Sequence, residues 1–256
     1  MVIQENGTEK TISKEPLAGG RVIYVSPNSR FGTDAVLLAG FANPKRIDRA
    51  VDLCSGGGII PLLWLSGDAP AEAVGVEIQD ECCELARRSI AANGDEERFR
   101  MVQADLREIA EHLPREKYSL VTCNPPYFAA GAGFVNKTEE RTIARSERLC
   151  NSEDVCRAAN YLLKYGGRLC VCQRPERLTD VICAMRDNGI EPKLLRLVQQ
   201  RQGSVPWLVL VEGRRGGKPG LKCLPTLLVE NADGRYSAEM KEIYGKYGDA
   251  SKWQDN

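Results

Sequence analysis

Asn124-Pro125-Pro126-Tyr127 concentrates aimed chemistry in four residues. A carboxamide, a backbone carbonyl and a phenol ring stand side by side, offering two acceptors and one π face. The apolar run Tyr118–Cys123 before it reads as a buried strand. Two consecutive prolines cannot continue a hydrogen-bonded ladder, so the chain must leave the sheet there. A turn of this kind can grip a flat polar group at a strand end. The remaining elements must bring something to it.

Those elements alternate. Strands are expected at 50–54, 73–78, 99–103 and 118–123, with helices between them at 59–65, 80–93 and about 106–113. After a long loop at 128–148, helices at 151–165 and 178–188 flank a strand at 168–173. Asn151, with Asp154 three residues on, reads as the cap of the first of these. Two further strands, 193–198 and 207–211, look like an antiparallel pair. Before the alternating part, a short strand at 21–25 precedes a helix at 35–42, with Thr33 as its expected N-cap. The pattern predicts an α/β fold with a doubly wound, mostly parallel sheet ending in an antiparallel hairpin. Its site lies outside the strand carboxyl ends. Three regions are expected: an N-terminal extension over 1–45, a main domain over 46–230 and a C-terminal tail over 231–256.

The chain has 256 residues, 43% hydrophobic and 27% charged, ordinary values for a soluble globular protein. No stretch approaches the ~18 apolar residues of a membrane span, and the N-terminus lacks a signal-peptide pattern. An unexported, cytoplasmic protein without membrane contact is expected. The ten cysteines include no Cys-x-x-Cys, and most lie in apolar segments. They read as reduced core residues, with no metal site. His112 is the single histidine, which leaves no material for a histidine-dependent triad. Net charge is zero, but residues 193–222 carry seven basic residues and one acid, Glu212. That asymmetry suits either a polyanion surface or a solvated hairpin.

Three strand ends surround the Asn-Pro-Pro-Tyr turn with complementary groups. Gly56, Gly57 and Gly58 follow the first strand and let a backbone approach a ligand at a helix start. Glu77 ends the second strand, 19 residues past Gly58, where a carboxylate can take both hydroxyls of a ribose. Asp105 ends the third, placed to accept from an adenine amino group. Ile78 and Leu106 adjoin these acids. Together they describe a pocket for an adenosine-containing cofactor.

The run Asp52-Leu-Cys-Ser-Gly-Gly-Gly58 resembles the first motif of class I S-adenosylmethionine-dependent methyltransferases, with Cys54 in place of a glycine. The resemblance implies a Rossmann-like fold, with Asp52 meeting the cofactor's ammonium. Asn124 to Tyr127 resembles the acceptor motif of amino-group methyltransferases acting on adenine, cytosine or glutamine amide nitrogen. A conjugated amine is a poor nucleophile because its lone pair is delocalised. If Asn124 Oδ1 and the Pro125 carbonyl each accept one amine hydrogen, the nitrogen becomes tetrahedral and its lone pair can be aimed. Tyr127 can stack on a flipped base, and Phe128 adjoins it.

One family resemblance is collinear over about residues 20–247. Phe31-Gly-Thr-Asp-Ala-Val-Leu-Leu-Ala39, Gly75-Val-Glu-Ile-Gln79, Cys123-Asn-Pro-Pro-Tyr-Phe128, Ala144-Arg-Ser-Glu147, Arg174-Pro-Glu-Arg-Leu178 and Tyr236-Ser237 resemble the bacterial tRNA(Val) adenine-N6 methyltransferases. That family modifies the adenosine 3′ of the anticodon. The resemblance implies that Thr33 and Asp34 close over the cofactor's methionine end. It also implies that the 131–148 loop, with Arg145, faces substrate. Arg214, Arg215 and Lys218 would then contact tRNA phosphates, and no obligate protein partner is implied. Three competing readings follow from the same residues. A release-factor-type glutamine methyltransferase shares Asn-Pro-Pro-Tyr, but the ~45 residues before the first strand are too few for its helical substrate domain. An RNA-binding protein with an idle cofactor fold would not need intact Glu77, Asp105 and Asn124. A nicotinamide oxidoreductase would want a different glycine spacing.

Overall fold

The structure, a computed structural model, describes residues 2–5, 8–125 and 151–247, with side chains over 12–125 and 151–247. Pro126, Tyr127, Phe128, Arg145 and the 131–148 loop therefore lie outside the described residues.

Two small antiparallel pairs open the chain: β1 (Val2–Glu5) with β2 (Thr8–Thr11), and β3 (Ser13–Pro16) with β4 (Val22–Val25). Helix α1 (Thr33–Ala42) follows. Its N-cap is Gly32 rather than Thr33, and the cap makes no side-chain hydrogen bond. Thr33 is instead the first helical residue, and Asn43 ends the helix in a left-handed conformation.

The alternating part then builds the core. Strands β5 (Arg49–Leu53), β6 (Glu72–Glu77), β7 (Phe99–Gln103) and β8 (Tyr118–Cys123) are parallel neighbours in the order β8-β5-β6-β7. Helices α2 (Ile59–Ser66) and α3 (Asp80–Asn93) connect the first three. Asp80 and Glu81 favour the start of α3, and Gly94 at φ 68° stops it. The helix expected after Asp105 is a 3-10 helix, Leu106–Glu111, broken at Glu108. Six residues between two strands suit the tighter turn.

Helix α4 (Ser152–Leu162) is capped as expected: Asn151 Oδ1 accepts from Asp154 N at 2.9 Å. It stops earlier than expected, because β9 (Leu163–Gln173) begins at once. Gly166-Gly167 sits inside that strand, in a bulge that shifts its register on β8, rather than closing the helix. Helix α5 (Leu178–Asp187) leads to β10 (Ile190–Gln199) and β11 (Leu208–Arg215), the antiparallel pair. Short strands β12 (Lys222–Cys223) and β13 (Leu227–Leu228) edge β10, and helix α6 (Ala238–Tyr247) closes the described chain.

The nine-stranded sheet runs β12-β10-β11-β9-β8-β5-β6-β7, with β13 as the ninth strand pairing β10 off this path. Alternating strand residues fill two cores. One holds Leu38, Leu62, Trp64 and Met240 from α1, α2 and α6. The other holds Val155, Leu162 and Met185 from α4 and α5 on the opposite face. Chain order reverses between β5 and β8, so a crevice opens at their carboxyl ends. Among the described residues, no helix is long and apolar enough to cross a membrane. Nor is any group of three or more His, Cys, Asp or Glu placed to hold a metal ion.

Candidate active site

The turn after β5 is built from left-handed residues at alternate positions. Cys54, Gly56 and Gly58 have φ of 55°, 54° and 80°. That conformation costs an L side chain about 1–2 kcal/mol and a glycine little, which is the physical reason for glycine at every second place. Cys54 adopts it nevertheless. At Gly58 a Cβ would also lie 2.9 Å from the Phe99 ring, so helix α2 can start against β7 only with glycine there.

Asp52 lies beneath this turn and is 1% exposed. Register pairs it with Thr122 of β8, and Thr122 Oγ1 donates to its Oδ1 at 2.6 Å. Ser55 Oγ donates to Oδ2 at 2.8 Å. Burial raises Asp52 to a pKa of about 7; the two hydroxyls oppose that rise and the Glu77 charge adds to it. Gly75, opposite Asp52 on β6, makes the room: a Cβ there would meet Ser55 Oγ at 2.9 Å and Met101 Sδ at 2.4 Å.

Glu77 ends β6 and is 5% exposed. Its Oε2 accepts from Gly56 N at 3.0 Å, tying the two strand ends together. Its Oε1 accepts from the backbone of Ile78 and Gln79 at 3.0 and 2.9 Å. Asp105 caps the 3-10 helix by accepting from Arg107 N at 2.9 Å. The Arg107 side chain adds an ion pair, which holds the Asp105 carboxyl below its ordinary value.

Asn124 stands one residue past β8. Its Nδ2 donates to Asp34 Oδ2 at 3.0 Å, and its Oδ1 accepts from Cys172 Sγ at 3.0 Å. Asp34 is in the first turn of α1, and Cys172 is a buried residue of β9.

One cavity of about 490 Å³ joins these groups. Asp34, Asp52, Cys54, Gly56, Glu77, Ile78, Asp105, Leu106, Asn124 and Pro125 all line it. Thr33 and Gly58 stand just outside, as the first residue of α1 and the N-cap of α2. Thr33 Oγ1 is 3.3 Å from Tyr244 Oη, and Tyr244 stacks on Tyr236 with ring centres 5.5 Å apart. Sequence reasoning passed over Thr122 and Cys172. The last carries no sequence signal: Cys172 comes opposite Asn124 only through the β8–β9 register, which pairs Thr122 with Cys170 two residues earlier.

Arg214, Arg215 and Lys218 lie elsewhere. Arg214 pairs with Arg168 at the amino end of the sheet, whereas the cavity is at the carboxyl end. Arg215 is also occupied. It donates to Asn160 Oδ1 at 2.9 Å, to the Leu163 carbonyl at 2.6 Å and to Glu116 at 2.7 Å. Arg214 and Lys218 are exposed.

Comparison with known proteins agrees with this geometry. The methyltransferase small domain family matches residues 31–182, more than half of the chain. A Yersinia enterocolitica protein named tRNA1(Val) (adenine(37)-N6)-methyltransferase is 30% identical over 221 residues, covering 85% of this chain and 81% of the relative. An Aeromonas hydrophila protein of the same name is 28% identical, covering 81% and 85%. Among solved structures, a predicted O-methyltransferase from Agrobacterium tumefaciens shares the fold with a TM-score of 0.68 at 22% identity, over 84% of this chain and 97% of that one. TrmN from Thermus thermophilus shares it at 0.53 and 24% identity, over 70% and 48%. The strand order, the glycine turn and these likenesses converge: the chain belongs to the methyltransferase small domain family and, within it, to the tRNA1(Val) adenine-N6 methyltransferases.

Proposed function

We propose that the protein methylates N6 of an adenine in tRNA using S-adenosylmethionine, and that the adenosine is the one 3′ of the anticodon in tRNA(Val). The observation that carries this reading is the Asn124 carboxamide, facing the same cavity as Asp52, Glu77 and Asp105. The names of the relatives supply the tRNA and the position within it.

The cavity fits the cofactor. Glycine at 56 leaves open space at the turn, where no atom lies within 4 Å of a built Cβ. Ile78, 47% exposed, offers an apolar surface beside Glu77 for a purine. When bound, S-adenosylmethionine supplies an electrophilic methyl group on a sulfonium. Glu77 Oε2, which accepts one bond from the chain, faces the ribose hydroxyls, while the backbone donors on Oε1 fix its position. Asp105 accepts from the adenine amino group. Asp52, with Thr122 and Ser55, meets the ammonium. Asn124 Oδ1 and the Pro125 carbonyl take the two hydrogens of the target amine, so its lone pair points away from both. Tyr127 and Phe128 stack on the flipped base, and Arg145 faces the RNA. Arg214 and Lys218 contact phosphates remote from the reacting adenine, where they add salt-dependent affinity without base selection. Residues 1–45 cover the cofactor, 46–230 form the catalytic domain and 231–256 form the tail. The enzyme works in the cytoplasm.

The test is transfer of radiolabelled methyl from S-adenosylmethionine to unmodified valine tRNA. Digestion should release labelled N6-methyladenosine. Label in a release factor, with none in RNA, would overturn the reading in favour of a glutamine acceptor.

A further inference from the structure

The Asn124 amide is gripped at both ends. A carboxamide can donate through nitrogen or accept through oxygen, and rotation by half a turn exchanges the two. Only the orientation with Oδ1 toward the acceptor amine can take its hydrogen. Asp34 distinguishes the two orientations, because its carboxylate accepts from Nδ2 at 3.0 Å and would repel Oδ1. The Cys172 thiol donates to Oδ1 at 3.0 Å and takes one of its two lone pairs. The other is left for a ligand, at an angle fixed by the thiol.

The two clamps stand on separate rigid elements. Cys172 is fully buried in β9, beside the strand that ends at Asn124. Asp34 is in the first turn of α1, where the helix dipole favours a carboxylate. Gly32 is required for its pose, since a Cβ there would lie 2.6 Å from Asp34 Oδ1. Helix α6 supports the same helix start through Tyr244 and Thr33. Charge acts along the line as well. Donating to an anion draws electron density toward Oδ1 and makes it the stronger acceptor.

We propose that Asp34 and Cys172 are positioning residues, which lock the Asn124 amide with its oxygen toward the amine to be methylated. This rests on the reading of Asn124 as the acceptor-site residue. It also gives Asp34 a role distinct from holding the cofactor's methionine end.

The test uses the full chain, S-adenosylmethionine and an unmodified valine tRNA transcript. Asn124→Ala is measured first, for kcat, for KM and for cofactor Kd by calorimetry. Retained kcat there would remove the acceptor-site reading itself, independently of the clamp. With that activity lost, Asp34→Asn should lower kcat about 10- to 100-fold, the cost of a misplaced reacting group. Cofactor Kd and the KM for tRNA should stay within about threefold (about 0.7 kcal/mol at 1.4 kcal/mol per tenfold). Adding Asp34→Asn to Asn124→Ala should cost nothing further, because the effect passes through the amide. Cys172→Ser, which keeps a donor, should preserve most of kcat, and Cys172→Ala should lower it about 3- to 10-fold. Parallel loss of kcat and cofactor affinity in Asp34→Asn would make Asp34 a cofactor ligand and overturn the proposal. So would additivity in the double variant, or equal effects of Ser and Ala at 172. Thermal unfolding of each variant shows whether a loss of kcat comes from loss of fold.

Discussion

The two ends of the central sheet treat charge in opposite ways. At the amino end, ions of opposite sign pair off. Arg49 meets Glu72 at 2.7 Å, Arg98 meets Asp68 at 2.9 Å and Arg215 meets Glu116 at 2.7 Å. At the carboxyl end, Asp52 and Glu77 are almost fully buried, yet hydroxyls and backbone amides hold them rather than a cation. Burying a carboxylate without an opposite charge is costly, and structural sites avoid it. Two such groups beside one cavity fit the proposed cofactor, which would bring its own ammonium and hydroxyls. Asp105 stands between the two cases, since Arg107 pairs with it. On the proposed function, what separates the ends is whether the counter-group belongs to the chain or comes with the cofactor.

Glu77 gives the comparison its largest test. If its Oε2 accepts from the cofactor's ribose, Glu77→Ala should weaken S-adenosylmethionine binding about 100-fold, or ~2.8 kcal/mol. Calorimetry on the purified protein checks this. An unchanged Kd would mean that Glu77 serves only to bind Gly56, Ile78 and Gln79. Arg215 is the matching test at the other end. Arg215→Ala removes bonds to Asn160 Oδ1 and the Leu163 carbonyl, a loss of about 2 kcal/mol of stability by urea unfolding. Its pair with the exposed Glu116 adds little. Cofactor affinity should not change. A loss of tRNA affinity without loss of stability would return Arg215 to the substrate surface.

At the paired end the sequence left the placement of its basic cluster open. Arg214, Arg215 and Lys218 form a basic cluster in the chain, but charge along a chain does not say which sheet edge a hairpin tip occupies. That depends on β11 running antiparallel to β9, so that Arg214 returns to the level of Arg168. The acids were legible because each ends a parallel strand, and parallel strands share one carboxyl edge. The Asn151 cap was legible for a similar reason, being a local side-chain-to-backbone bond. The end of α4 was not. Gly166-Gly167 reads as a helix stop, and only pairing with β8 shows that the pair lies in a bulged strand. Cys172 was invisible as a functional residue because cysteine in an apolar run has every reason to be core, and it is core as well. Helix α6 carries no strong apolar stripe, and what orders it is contact with α1 and α2.

Asp52 supplies a test by pH. Its folded pKa, about 7, is above its unfolded value near 3.8. Between those values the unfolded chain has lost the proton and the fold retains it. In the cofactor-free protein this group's contribution to stability therefore falls as pH rises from about 4 to about 7. Asp52→Asn should remove that slope, seen as a flatter dependence of Tm on pH. Cofactor affinity should run the other way and strengthen as pH rises through about 7, because an ammonium prefers the ionised carboxylate. Equal pH dependence in wild type and Asp52→Asn would assign the titration to another group.

Cys54 tests the smallest effect at the unpaired end. Its φ of 55° places an L side chain where the flanking turn positions carry glycine. The strain is about 1–2 kcal/mol, and glycine would recover it while losing about 0.5–1 kcal/mol to its greater freedom in the unfolded chain. Cys54→Gly should therefore stabilise the fold by at most ~1.5 kcal/mol in urea unfolding. Cys54→Val should destabilise it by more than that, since a β-branched side chain tolerates the left-handed region least. Cys54 lines the cavity, so its thiol also touches the space in which the cofactor is proposed to bind. If Cys54→Gly gains stability without changing cofactor Kd, cysteine is a tolerated departure from the glycine pattern. If it gains stability and weakens binding, the strain is retained for a contact with the cofactor.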